Sequence, residues 1–323
     1  MSIRTLLATA AVIALPGVAL AQNSPTMSST ITLGYTSGSL DVAAFPGYDV
    51  DLTTTSIDVD SDIMFGSNFN VGLDFGIAMT EIDATGGTAD VDLLSFSLEP
   101  SYHFGNGAYV GFYYRMGDLD VSIPLLPITL GVDTTQSGIF AGYENGPLWM
   151  EAFYGTSDTD PGIGGIDVTD MGLAMSYDVM PNLELFGSYT RTDIDTGGFL
   201  DIDVTLMAIG ADYEFGNGLA LYGSVGRLDI GTPFPINLDA TQFSLGASYD
   251  LAAAGGGFPG VVSLEMTRTS FDLAGLDADV NSFGLAFTIP LGNNASTTPL
   301  NSSTQIARGS YRSAIAGGLA SLR

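Results

Sequence analysis

Apolar residues fall on every second position in segment after segment of this chain. In Thr241 to Asp250, TQFSLGASYD, they are Phe243, Leu245, Ala247 and Tyr249, with Gln242, Ser244, Gly246 and Ser248 between them. A strand turns successive side chains to opposite faces, so this spacing makes one face apolar and the other small and polar. The same grammar, each time with an aromatic next to a polar or turn residue, returns in LSFSLEPSYHF (Leu94 to Phe104), SGIFAGYEN (Ser137 to Asn145), MGLAMSYDV (Met171 to Val179) and MAIGADYEF (Met207 to Phe215). Tyr102, Tyr143, Tyr177, Tyr213 and Tyr249 therefore recur 34 to 41 residues apart. A period of this size also suits a solenoid or a propeller. Here each period holds two alternating strands, one short turn and one longer acidic connection, which predicts a closed up-and-down barrel. Together with Phe65, the five tyrosines would then form part of an aromatic girdle at one height.

The turns set the strand count. Short ones are signalled at Gly66-Ser67-Asn68, Gly105-Asn106-Gly107, Asn145-Gly146-Pro147, Met180-Pro181-Asn182, Gly216-Asn217-Gly218 and the Gly-rich Ala252 to Gly260, where Gly and Asn permit positive φ. Longer connections are expected near Leu40 to Asp51, Ile82 to Asp90, Asp118 to Val132, Ser157 to Gly165, Asp193 to Leu200, Asp229 to Leu238 and Asp272 to Ala278. Six short and seven long connections give about 14 antiparallel transmembrane strands across residues 30–291, with 12 to 16 as the range. Short turns on one side and longer loops on the other describe an outer-membrane barrel with its short turns in the periplasm. The third long connection carries VSIPLLPITL, Val121 to Leu130. It either folds over the mouth or extends two strands to a proline turn.

The two ends differ from the rest. Residues 1–21 combine Arg4, the apolar run Leu6 to Leu15 and Ala19-Leu20-Ala21, which predicts a cleavable signal peptide for export. Residues 22–29 are expected to be a short periplasmic lead-in. No later segment has ~20 consecutive apolar residues, so no spanning helix is expected. Residues 292–323 form a tail, polar from Asn293 to Gln305 and then basic, with Arg308, Arg312, Arg323 and no acid. A basic end below an acidic lumen could act as a plug; a disordered or marginally helical end is the other expectation.

Charge narrows the function classes. The chain has no lysine, eight arginines against 36 acids and a net charge of -28, yet 46% of its residues are hydrophobic and 14% charged. It is therefore folded and selectively acidic, and nucleic acid is excluded as a partner because nothing could neutralise its phosphates. Cysteine is absent, which removes disulfides and thiolate metal sites. The acidic loop SDTDPGIGGIDVTD, Ser157 to Asp170, lacks the terminal Glu of an EF-hand. No cofactor is expected, and divalent cations at most bind loosely.

With apolar positions facing lipid, parity puts Asp74, Glu99, Glu151, Glu184, Asp212 and Glu265 on the inner face, with Arg115 opposing them. An acid facing lipid is expensive, so these residues are candidates to line a wet pore. A wall of one sign concentrates counter-ions and favours cations. Gly and Ser on the inner parity suggest an open aqueous interior, unless Tyr113, Trp149 and Phe153 fill it. Arg191, Arg227 and Arg268 share the parity of Leu185, Leu221 and Leu264 and fall near the outer rim, where they could bind lipopolysaccharide phosphate or simply snorkel. The single histidine, His103, points inward near the periplasmic turn, so no catalytic triad can be assembled at the outer leaflet and no enzyme activity is expected.

Strands that read like FSLGASYDL, lysine-poor composition and strong acidity make the chain resemble the general porins of alphaproteobacteria, over Ser28 to Leu291. The resemblance implies passive diffusion of small hydrophilic solutes and ions across the outer membrane and a homotrimeric assembly. Such porins usually have sixteen strands, a long third loop folded inward and a terminal aromatic. This chain has a short third connection, and Phe283, Leu285, Phe287 and Ile289 lead into Pro290 and a further tail. A non-conducting structural or adhesive barrel is the alternative.

Overall fold

A computed structural model describes residues 25–42, 50–84, 87–123, 128–160, 166–197, 201–232, 238–255, 259–273, 276–292 and 296–320. The proposed signal peptide lies outside the described residues. Fourteen strands follow one another: β1 (Thr26–Val42), β2 (Val50–Phe65), β3 (Phe69–Ala84), β4 (Gly87–His103), β5 (Ala108–Ile123), β6 (Ile128–Asn145), β7 (Leu148–Asp160), β8 (Asp167–Met180), β9 (Leu183–Asp195), β10 (Ile202–Glu214), β11 (Leu219–Gly231), β12 (Leu238–Asp250), β13 (Val261–Leu273) and β14 (Leu276–Leu291). Each pairs antiparallel with its neighbours, and β14 closes on β1 from Ser29↔Leu291 to Val42↔Ala278, leaving no sheet edge. β1 begins four residues earlier than the expected lead-in allowed, because Thr26 to Ser29 find partners in Met64 to Ser61 of β2.

Burial is inverted relative to a soluble protein. Large apolar side chains such as Ile209 (70% exposed), Met266 (65%) and Ile139 (63%) stand outward, whereas Thr32, Thr192 and Thr288 inside the barrel are fully buried. Lipid is the solvent for the outer face. Phe65, Tyr102, Tyr177, Tyr213 and Tyr249 are exposed on this face and Tyr143 is half-buried, each close to a short turn. Two of those turns repeat Phe-Gly-Asn-Gly. In both, the last glycine adopts positive φ (89° at Gly107, 85° at Gly218) and donates its N–H to the phenylalanine carbonyl, while Asn106 and Asn217 accept from the residue that starts the next strand.

Several connections expected to be long are instead strand. β3 and β4 stay paired to Ala84↔Gly87, and β5 and β6 to Ile123↔Ile128. The third connection thus extends two strands as far as Ile123 and Ile128.

The inner glycines serve as seats for aromatic rings rather than as open space. Tyr109, Tyr113, Phe140 and Phe153 form a buried cluster with Trp149 against it, and a Cβ built on Gly138 would fall 2.6 Å from the Tyr113 ring. This is the arrangement by which rings rescue glycines in sheets. Gly138→Ala is therefore expected to lower stability by about 1–3 kcal/mol through overpacking, measured by urea unfolding in lipid vesicles. Gly226→Ala, whose Cβ would lie 3.6 Å from its nearest neighbour, should be close to neutral.

Candidate functional site: the lumen and its tail

The C-terminal segment runs through the barrel interior. From Gly292 it binds β1, where the Ser296 N–H donates to Thr30 Oγ1 (2.9 Å) and the Leu300 N–H to Thr32 Oγ1 (3.1 Å). It crosses to β13, where Glu265 accepts from Ser302 Oγ (2.5 Å) and the Ser303 N–H (3.0 Å). Two short helices follow, α1 (Thr304–Ala307) and α2 (Ala314–Ala320). Their apolar faces meet a lumen patch that water alone would not explain. Val204, Leu206 and Ala208 of β10, with Phe186 of β9, enclose Ile306, Ala307 and Ala314 in one buried cluster.

Two arginines between and beside the helices meet the inner acids. Arg308 reaches Glu184 (2.6 Å) and Asp212 (3.4 Å), with its guanidinium 4.1 Å from the Phe186 ring centroid. Arg312, 6% exposed, pairs with Glu99 (2.8 Å) and with Glu151, beneath Phe140, Phe153 and Tyr113 at 5.1, 5.2 and 5.6 Å. Arg115 holds the other oxygen of Glu99 (2.6 Å), lies 3.9 Å from Asp74 and donates to the Ser310 carbonyl (2.8 Å). Glu151 also accepts from Tyr109 OH (3.0 Å). All seven charged residues picked from the inner parity thus project into the lumen. Arg115 does not oppose the acids alone, because the tail brings two further cations.

Sequence parity also contained Asp58, Asp60 and Asp62 on β2, in the alternating DVDSD. Asp62 is exposed and accepts from Asn70 (2.9 Å), while Asp74 on the neighbouring strand keeps a side chain 43% exposed. Asp62 and Asp74 thus face interior space that the tail leaves uncovered, whereas Asp58 is buried.

The outer arginines are engaged locally. Arg191 pairs with Asp193 (2.7 Å), Arg227 with Asp229 (2.8 Å) and Arg268 with Asp279 (2.9 Å). His103 contacts Ser101 Oγ (3.2 Å) and stacks on Tyr109 near the short turns, and among the described residues no carboxylate is hydrogen-bonded to its ring. No group of His, Cys, Asp and Glu among the described residues is arranged to hold a metal.

Residues 81–233 match a family described as Gram-negative porin. The chain is a 14-stranded outer-membrane β-barrel, related to that family over those residues. Among solved structures it is similar to the anion-selective porin from Comamonas acidovorans (13% identity, 84% of this chain and 100% of that one, TM-score 0.50) and to the CymD monoaromatic hydrocarbon channel (11%, 84% and 90%, 0.53). The TodX monoaromatic hydrocarbon channel deltaS2 mutant is similar too (10%, 85% and 91%, 0.52). At these identities the likeness is one of fold. No curated protein matches the chain in sequence.

Proposed function

We propose that this barrel is a passive channel for small hydrophilic solutes and ions, with a preference for cations. The observation that carries the reading is the inner wall itself. Its acids outnumber its cations even with the tail seated, since Asp58, Asp60, Asp62 and Asp74 lie beside Glu99 with Arg115 and Arg312 as the nearby guanidinia. A surplus of one sign inside low-dielectric walls concentrates counter-ions. The aromatic-hydrocarbon channels of the same fold do not decide the solute here, because an acid-lined path favours hydrated cations over apolar molecules. At the rim, lipopolysaccharide phosphates would compete with Asp193, Asp229 and Asp279 for the outward arginines.

Occupation of the lumen favours one alternative, a closed barrel with a structural or adhesive role. Single-channel recording of the mature full-length protein in a planar bilayer separates the two. The expected result is cation-selective openings whose reversal potential moves towards zero in Asp74→Asn, a change that leaves the tail's own partners intact. Silence from a folded barrel, also after the tail has been displaced by substitution, would leave the structural reading.

A further inference from the structure

We infer that the pocket filled by Arg312 is a binding site for a guanidinium-bearing organic cation, and that the tail is its tethered competitor. The inference rests on the channel reading in one respect, that solutes enter the lumen. The pocket belongs to the wall, not to the tail. Glu99 comes from β4, Tyr113 from β5, Phe140 from β6, and Glu151 and Phe153 from β7.

Each of these groups is held by a partner that remains when the tail leaves. Glu99 keeps Arg115, Glu151 keeps the Tyr109 hydroxyl, and the rings of Tyr113, Phe140 and Phe153 lie over Gly138, Gly111 and Gly172 of adjacent strands. A site whose parts are fixed in advance loses little freedom on binding. Two carboxylates beside three ring faces match a planar, weakly hydrated cation, which forms charge-assisted bonds in its plane and stacks through its faces. An alkali ion would gain nothing from the rings in exchange for its water. An anion would be repelled.

Nothing about the pocket requires the occupant to be covalently attached. The wall repeats the chemistry a short way off, where Glu184, Asp212 and Phe186 surround Arg308. The tail therefore presents two guanidinia to two cation sites, as a mobile solute with the same groups would.

The chain's single tryptophan, Trp149, packs against the ring cluster and reports on it. The test is a fluorescence titration of full-length Arg312→Gln in detergent with argininamide, against potassium chloride at equal ionic strength. A saturable change in Trp149 emission is expected in Arg312→Gln, at least tenfold weaker in the wild type, where the pocket is filled, and lost in Arg312→Gln/Glu151→Gln. No saturable response in a folded Arg312→Gln barrel, or the same response without Glu151, would overturn the inference. Should Arg312→Gln not fold, the wild type serves instead: argininamide should speed chymotryptic cleavage after Tyr311 several-fold over potassium chloride, and an unchanged rate would overturn the inference. Bilayer recordings on the same samples keep the two readings apart. Conductance without a tryptophan response sinks the pocket alone, whereas a response in a silent barrel sinks the channel alone.

Discussion

Glu151→Gln is expected to release the tail from the lumen. Arg312 and Glu151 are 6% and 8% exposed, so their pairing takes place where water cannot substitute for a lost partner. Removing one member of a buried pair leaves an uncompensated charge and costs about 3–5 kcal/mol. The lower end applies here, because Glu99 stays on the other guanidinium nitrogen at 2.8 Å and Gln can still accept one hydrogen bond. About 3 kcal/mol corresponds to roughly a 100-fold change in the ratio of seated to withdrawn tail. The wall should barely notice, since its ladders do not run through Glu151's side chain and Tyr109 retains an amide partner. Trypsin distinguishes the outcomes, because the chain has no lysine and Arg308 and Arg312 are shielded by the barrel. Cleavage at these two positions should accelerate by one to two orders of magnitude, with a rise in potassium conductance in the same samples. Unchanged cleavage in a folded barrel would mean that the pair does not hold the tail.

The strands were legible because the membrane imposes one simple rule on them. Lipid on one face keeps Leu245 and Phe243 apolar, and a confined interior keeps Ser244 and Gly246 small. Parity alone therefore brought Glu99, Glu151, Glu184 and Asp212 to one side. The upper connections were harder to read. Beyond the bilayer both faces of a strand are wet, so the stretch Ile82 to Asp90 reads as an acidic loop although Asp83 and Asp90 lie in paired strand.

The tail gave the weakest signal. Its Ser, Thr, Gly and Ala residues look like linker composition, and its helices are four and seven residues long, too short to form without tertiary support. The clue lay in the wall instead. Val204, Leu206 and Ala208 share the inner parity of Asp212, whereas Met207 and Ile209 face lipid, so β10 is apolar on both faces over that stretch. A strand that is apolar inside a wet barrel needs something apolar to cover it. Glycines misled in the same way, because a missing side chain on one strand was filled by a ring from the next.

Gly309→Val should expel the tail by a route that leaves every charge in place. Gly309 has φ +77°, and its N–H closes α1 onto the Ile306 carbonyl at 3.0 Å. A β-branched residue there carries a backbone strain of about 1–3 kcal/mol. In addition, its Cβ would fall onto the Ala174 methyl of β8, with Ala174 Cα and Ser188 Cβ 3.7 Å away. Wall strands held by ladders on both sides cannot retreat, so the tail must. Gly255→Val separates strain from clash. It has φ +82° in the β12–β13 turn with nothing within 4 Å of a Cβ, so it should lower stability without exposing Arg308 or Arg312 to trypsin. Combined with Glu151→Gln, Gly309→Val should add little to conductance, because a tail that is already withdrawn has no lumen contact left to lose. Additive conductance gains would instead show that the two residues act on separate parts of the barrel. Protection of Arg312 in Gly309→Val would mean that the tail does not pass against β8 where Gly309 meets Ala174.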